Sequence, residues 1–137
     1  MRQASDELTI ETRQGLVEMT RQVVDWVANS GIETGLLTLF VRHTSASLLI
    51  HENAAAAARR DTERFFARIA PESADYEHDD EGPDDMPAHL RAALTATSLS
   101  VLVAGGRPIL GTWQGIYLFE HRRASHRRRV AIHLVGE

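Results

Sequence analysis

The 137-residue chain contains no cysteine and no lysine, so all 15 of its basic residues are arginines. The absence of cysteine excludes disulfide frameworks, thiol nucleophiles, zinc–thiolate sites and iron–sulfur clusters. The absence of lysine excludes Schiff-base chemistry and the lysine of a phosphate-binding P-loop. Any metal ion held by this chain must therefore rest on imidazole, carboxylate and water ligands.

Long apolar runs are also missing from the sequence. The apolar segments fall well short of the ~20 residues that cross a bilayer, and residues 1–10 lack the apolar core of a signal peptide. An apolar content of 43% and a charged content of 25% are typical of a globular protein. We therefore expect a single cytoplasmic domain that spans residues 1–137.

The hydrophobic pattern predicts an α+β domain. A first helix is predicted from Leu16 to a stop at Asn29–Gly31. A second helix is predicted over residues 54–70 with Asn53 as its N-cap, and a third over residues 87–96. Strands are predicted at residues 8–13, 36–41, 48–50, 99–103, 109–110, 115–122 and 129–135. Because no regular βαβ rhythm is present, we expect a largely antiparallel sheet or sandwich with about three helices.

Charge is unevenly distributed along the chain. Residues 71–98 carry eight acids and one base, whereas residues 99–137 carry six bases and two acids. In one interpretation these segments are solvated or pair with each other; in the other, the acidic segment helps to hold a cation while nearby arginines hold phosphate.

Seven histidines are present, and most lie in predicted loops or at strand ends. A catalytic metal site commonly needs three protein ligands and one open position. Scattered histidines supply such a site only if the fold gathers them, and a single histidine is more often a surface or hydrogen-bonded residue. Four carboxylates are available to orient an imidazole N–H, namely Asp79, Asp84, Asp85 and Glu120.

Two glycines bracket a tryptophan and an amide in the segment Gly111–Gly115. In this position the ring of Trp113 could stack on a flat ligand, and the amide of Gln114 could form hydrogen bonds with the polar edge of that ligand. The alternative is a core tryptophan whose N–H is satisfied locally.

Two other functional classes have weaker support. Ser45 and Ser47 near His43 suggest a serine hydrolase, but the G-x-S-x-G elbow is missing. The arginines of residues 122–129 suggest nucleic-acid binding, but the chain is acidic overall and aromatic residues are not interleaved with these arginines.

Six blocks of sequence together resemble the YjbQ-like family, whose members are often labelled secondary thiamine-phosphate synthase. The blocks occur in the family's order, cover essentially the whole chain and include a distinctive GTWQGI segment. They are HTSASL at 43–48, EN at 52–53, YEHD at 76–79, DDMPAH at 84–89, GTWQGI at 111–116 and EHR at 120–122.

The resemblance implies a compact α+β domain that assembles as a homotrimer, with a site at the histidines that often holds a metal ion. Its metal ligands would be His43, His78 and His89. Its catalytic residues would be Glu120, Gln114 and Asp85, and its substrate-binding residues Ser45, Trp113 and Arg122.

The family label implies the joining of a pyrimidine diphosphate to a thiazole phosphate with loss of pyrophosphate, an activity described as weak among members. Arg122 or Arg107 would hold phosphate oxygens. A site of three imidazoles favours zinc or another transition metal over magnesium.

We therefore expect a metal-binding enzyme that acts on a small phosphorylated or heteroaromatic metabolite, with thiamine-phosphate formation as the named candidate activity. The alternative is a non-catalytic trimeric protein that binds a metal ion or a metabolite. Neither interpretation includes a nucleic-acid or membrane partner.

Overall fold

In a computed structural model, which describes residues 1–73 and 75–137, the chain forms eight strands and three helices. The strands are β1 (Arg2–Glu11), β2 (Gly15–Glu18), β3 (Gly35–Val41), β4 (Ala46–Glu52), β5 (Ser98–Ala104), β6 (Arg107–Pro108), β7 (Gln114–Glu120) and β8 (Arg127–Gly136). The helices are α1 (Thr20–Ser30), α2 (Ala56–Ile69) and α3 (Asp85–Leu94).

The strands form two antiparallel sheets that curl into a half-barrel. The larger sheet has the order β1-β8-β3-β5-β6 and the smaller sheet the order β2-β7-β4. Strand β8 lies between β1 and β3, and β7 lies between β2 and β4. The predicted α+β architecture, with antiparallel sheets and three helices, is confirmed.

The core lies between the two sheets and follows the alternation of the strands. On β3, Leu37 and Leu39 point inward and are fully buried. On β7, Ile116 and Leu118 face the same core, whereas Phe119 faces away from it and packs against Phe66 of α2. Strand β7 is therefore covered on both faces, and this is why its residues 115–120 are all buried.

The helices differ in how firmly they are attached to the sheets. Helix α1 buries Val23 and Val27 completely, whereas none of the 14 residues of α2 is fully buried. Within the part of the chain that the structure describes, no helix combines the length and the apolar character needed to cross a membrane.

The outer face of β3, which corresponds to the strand predicted at residues 36–41, is partly exposed to solvent. Leu36 and Phe40 are 41% and 46% exposed, and Leu102, which is opposite Leu36 on β5, is 59% exposed. The apolar run thus covers both faces of an antiparallel strand, one in the core and one open to solvent.

Three local predictions were wrong at element boundaries. Leu16 lies in β2 opposite Phe119, so α1 begins only at Thr20. Asn53 does not cap α2, because its side-chain amide donates hydrogen bonds across to the carbonyls of Thr112 and Gln114. Residues 109–110 follow the short strand β6, whose pairing with β5 is at Arg107–Pro108.

Candidate functional site

Three potential metal ligands converge where the acidic segment meets helix α3. Asp85 and His89 are four residues apart and share one face of α3, and His78 reaches them from the preceding loop. The Nε2 atoms of His78 and His89 lie 2.9 and 3.1 Å from the same oxygen, Oδ2 of Asp85. The potential ligand atoms of this His78–Asp85–His89 group all lie within 4.8 Å of one another.

His89 is held by the loop that joins β3 to β4. Its Nδ1 lies 2.9 Å from the carbonyl oxygen of Thr44, a group that only accepts hydrogen bonds. The Nδ1 atom must therefore carry a proton and donate it to Thr44. In the neutral ring this leaves the lone pair on Nε2, which is the atom directed at Asp85.

The carboxylates at the start of α3 are fixed by Arg122. Its guanidinium donates from Nη1 to Oδ1 of Asp85 at 2.8 Å and from Nε to Oδ2 of Asp84 at 3.0 Å. Next to it, Arg123 pairs with Glu72 at 2.8 Å. The acidic segment and the basic C-terminal third thus pair with each other, and Arg122 orients the carboxylates of this group.

The neighbouring charges favour the ionised forms of Asp85 and His78. Burial opposes ionisation of Asp85, but its contacts with His78, His89 and Arg122 outweigh that effect and hold its pKa below the ordinary value. The hydrogen bond to Asp85 raises the pKa of His78, against a smaller opposing effect of burial. Asp85 is therefore an anion at neutral pH, which is the form that both a proton on His78 and a metal ion would attract.

His43 lies apart from the His78–Asp85–His89 group. Its Nε2 accepts a hydrogen bond from the backbone N–H of Arg129 at 3.0 Å. Burial, followed by the positive charge of Arg128, lowers its pKa. It lines a separate cavity of about 550 Å³ together with Ser45 and Arg128. The structure does not place His43 with the other two histidines, and its assignment as a metal ligand stays a prediction.

Glu120 and Ser45 meet at Arg128. The Arg128 guanidinium donates to both carboxylate oxygens of Glu120, with Nε 2.8 Å from Oε1, and from Nη2 to Oγ of Ser45 at 2.9 Å. Burial opposes ionisation of Glu120, but the hydrogen bonds from Arg128, Thr12 and the Arg122 N–H outweigh it and lower its pKa. Ser45 is thus held by a guanidinium, an arrangement that does not activate it as a nucleophile.

Trp113 and Gln114 lie at the opposite end of β7 from Glu120. Gln114 and Glu120 are six positions apart on an extended strand, which corresponds to about 20 Å. Trp113 is 65% exposed, and Oε1 of Gln114 accepts a hydrogen bond from the N–H of Gly111 at 2.8 Å, which closes the turn. The resemblance implies that Trp113, Gln114 and Glu120 lie near the histidine site; within this chain Trp113 and Gln114 lie at the far end of β7 from Glu120, and their roles in a site stay predictions.

Sequence reasoning missed two buried residues that shape the site. Arg128 was grouped with solvent-exposed arginines, yet it is 4% exposed and pairs with Glu120. The alternation of β8 offered the signal, since Arg128 shares a face with Val130 and Ile132. His121 is 1% exposed, and its Nε2 lies 2.9 Å from Oγ of Ser47.

Residues 6–137 match the family model described as UPF0047 protein YjbQ-like. The chain belongs to the YjbQ-like family. A UPF0047 protein of Synechocystis is 48% identical over 99% of this chain and 94% of its own length. The YjbQ protein of Escherichia coli O157:H7 is 43% identical over 95% of this chain and 96% of its own.

Solved structures of YjbQ-like proteins share the fold. A Sulfolobus solfataricus protein described as YbjQ-like and of unknown function superposes with a TM-score of 0.90 and 27% identity, over 99% of both chains. A conserved hypothetical protein of Thermus thermophilus gives a TM-score of 0.85 and 32% identity, over 95% of this chain and 99% of its own. These comparisons establish family and fold, and the roles of the individual site residues stay predictions.

Proposed function

We propose that the His78–Asp85–His89 group holds a divalent transition-metal ion at the centre of a small-metabolite site. The observation that carries this proposal is the convergence of two imidazole Nε2 atoms on one carboxylate oxygen, at 2.9 and 3.1 Å. Ligands of a tetrahedral zinc ion lie about 3.3 Å from one another, given metal–ligand distances near 2.0–2.1 Å. Both histidine–carboxylate distances are close to this spacing, and all three ligand atoms lie within 4.8 Å of one another.

The donor set favours a transition metal. Two imidazoles and one carboxylate suit zinc or iron, whereas magnesium prefers oxygen ligands alone. A second group, His78 with Asp80 and Glu81, is exposed throughout. The group that contains Asp85 is the better candidate, since Asp85 is 3% exposed and is oriented by Arg122.

A substrate would sit beside His78. A cavity of about 310 Å³ is lined by His78, Tyr76, Asp79 and Met86, which is within the size range of small-molecule sites. A metal ion bound there would polarise a phosphoryl or carbonyl oxygen of the substrate. Arg122 holds Asp85 and Thr44 holds His89, so both ligands are fixed before any substrate enters.

Thiamine-phosphate formation is the activity that we propose for this site, as a weak or secondary reaction on phosphorylated heteroaromatic substrates. Its support is the family label together with the cavity next to His78. The second candidate is a non-catalytic protein that binds a metal ion or a metabolite. Two observations support it. The hydroxyl of Ser45 accepts a hydrogen bond from Arg128 and is not activated as a nucleophile, and the sequence contains no cysteine thiol or lysine amine that could serve as one.

Metal content tests the proposed centre. The protein is purified without chelator or a nickel column, and metals are measured by mass spectrometry. We expect close to one transition-metal ion per chain in the wild type, and a loss of roughly tenfold or more in His89→Ala and Asp85→Asn. The matched control, His51→Ala on β4 of the small sheet, is expected to keep its metal. Equal metal content in all four proteins would refute the centre.

Product formation separates the two candidate functions. Wild type and His89→Ala are incubated with the pyrimidine diphosphate and the thiazole phosphate, with and without added metal, and thiamine phosphate is measured. Metal-dependent product from the wild type alone supports an enzyme that uses this site. Equal product from both proteins shows that the chemistry takes place elsewhere. Metal binding without product supports the non-catalytic function.

A further inference from the structure

A cavity distinct from the proposed metal centre lies between helix α2 and the small sheet. It has a volume of about 400 Å³ and is walled on one side by the rings of Phe66 and Phe119. These rings meet edge to face, with centroids 5.3 Å apart. The cavity is large enough for a small metabolite, and its aromatic wall suits a flat apolar body.

The cavity also contains a buried guanidinium without an acidic partner. Arg91 is only 8% exposed, yet among the described residues no carboxylate lies within 4.0 Å of it. Its Nη2 donates to the carbonyl of Ala70 at 2.8 Å, while its Nε is buried with no hydrogen-bond partner. A buried charge normally has a counter-ion or a full set of hydrogen bonds.

The carboxylates around the cavity are already engaged with other groups. Oε2 of Glu63 accepts a hydrogen bond from the N–H of Leu16 at 2.7 Å. Glu72 lies 2.8 Å from Nε of Arg123, and Glu120 is bound by Arg128. Glu72 is the acid whose charge acts most strongly on Arg91, but no described carboxylate lies within 4.0 Å of this guanidinium, so Arg91 lacks a direct ion-pair partner in the cavity.

We propose that this cavity binds a small aromatic carboxylate, with the carboxylate on Arg91 and the ring against Phe66 and Phe119. Arginine pairs with carboxylates through charge-assisted hydrogen bonds, and the guanidinium of Arg91 has a donor, Nε, that no described residue engages. Arg60 at the cavity rim adds a second positive charge near the entrance. Binding here gives the buried cation a charged partner and covers the half-buried ring of Phe66 beside the buried ring of Phe119.

This site is independent of the proposed metal centre. Arg91 and His89 both lie on α3, but positions two residues apart project about 200° apart around a helix axis. His89 faces Asp85, whereas Arg91 faces α2 and the small sheet. Loss of metal in Asp85→Asn therefore leaves this site unchanged.

Binding of benzoate, measured by calorimetry and by proton NMR, tests the proposal. We expect a dissociation constant on the order of 1 mM for a ligand of this size. Contacts from benzoate protons to the rings of Phe66 or Phe119 should be visible. Benzamide, which has the same shape without the charge, should bind at least ~10-fold more weakly. Asp85→Asn should bind benzoate as the wild type does.

Variants of the arginines complete the test. Arg91→Met is expected to lose benzoate binding by ~10-fold or more, and Arg60→Gln to weaken it to a smaller extent. Arg68→Gln, which removes an exposed charge of α2 outside the cavity, is the control and should bind normally. Should Arg91→Met fail to fold, Arg60→Gln and the ring contacts decide the outcome. Equal binding of benzamide or inorganic phosphate, unchanged binding in the arginine variants, or benzoate contacts elsewhere would overturn the proposal.

Discussion

His121 shows how strongly burial controls ionisation in this molecule. Its ring is 1% exposed, with Nε2 against the hydroxyl of Ser47 and Nδ1 buried without a hydrogen-bond partner. Burial, followed by the positive charge of Arg91, lowers its pKa to about 3. The native state therefore keeps this ring neutral at neutral and mildly acidic pH, whereas the unfolded chain protonates it near pH ~6.5.

We predict that His121 makes the protein sensitive to acid. Between the unfolded pKa and about pH 3, the unfolded state binds one more proton than the native state, so the free energy of unfolding falls as the pH falls. The contribution of this residue is up to about 1.4 kcal/mol per pH unit in that window. Urea unfolding from pH 7 to pH 4 measures the slope, which should be shallower in His121→Gln.

His51→Gln is the control for that experiment, because this variant also removes one histidine but from a half-buried position on β4 of the small sheet. It should retain the wild-type slope. A His121→Gln variant that loses stability with acid as steeply as the wild type would contradict the assigned burial effect.

Part of the candidate site followed from sequence at the level of residue types. The DDMPAH block places Asp85 and His89 four residues apart, with His89 in the helix predicted over residues 87–96 and Asp85 just before it. The structure begins α3 at Asp85 and puts both residues on one face. The position of His43 could not be derived in this way. It depends on the register of β8 against β3, which brings the Arg129 N–H to its Nε2.

At the scale of elements, the Glu120–Arg128 pair links the two sheets. Glu120 ends β7 in the small sheet, and Arg128 lies near the start of β8 in the large sheet. Glu120 is completely buried and Arg128 is 4% exposed. With Thr12 as a further donor at 2.6 Å, the carboxylate is fully surrounded by hydrogen-bond partners.

We predict that Arg128→Ala lowers the free energy of unfolding by about 3–5 kcal/mol, since it leaves a buried carboxylate without its cation. Arg127→Ala is the matched control. Arg127 is exposed and pairs with Glu11 on the surface, so its loss should cost no more than about 1 kcal/mol. Chemical denaturation at neutral pH measures both. Similar losses in the two variants would show that the buried pair does not join the sheets as described.

The elements with regular alternation were predictable, and those set by tertiary partners were not. Strand β8 was recognised over residues 129–135 because apolar residues alternate with polar ones. Leu16 fits the spacing of α1 equally well, but it pairs with Phe119 in the small sheet. Asn53 has the chemistry of a helix cap, yet the turn before β7 takes its amide instead.

At the scale of the whole molecule, one face of the large sheet has the character of an interface. Leu36 and Leu102 lie opposite each other on β3 and β5, and Phe40 follows on the same face of β3. All three are more than two-fifths exposed. Exposed apolar patches of this kind mark association sites, so this outer face supports the homotrimer that we propose for the protein in solution.

We predict that the wild type has three times the 15.2 kDa mass of one chain in light scattering after size exclusion. Phe40→Asp or Leu102→Asp should reduce this mass to that of a single chain, because a charge would be buried in the contact. Phe65→Asp, an equally exposed apolar position on α2, should leave the assembly intact. A monomeric wild type, or trimers in all three variants, would refute this interface.

Helix α2 is less firmly packed than α1, and this affects how readily it separates locally from the small sheet. Because α2 has no fully buried residue, little apolar surface must be exposed for it to separate from the small sheet. Its amide protons should therefore exchange with deuterated solvent faster than those of α1, which is anchored by Val23 and Val27. Hydrogen-exchange mass spectrometry measures this order. The cavity that we propose as a carboxylate site lies beneath the helix that is expected to open first.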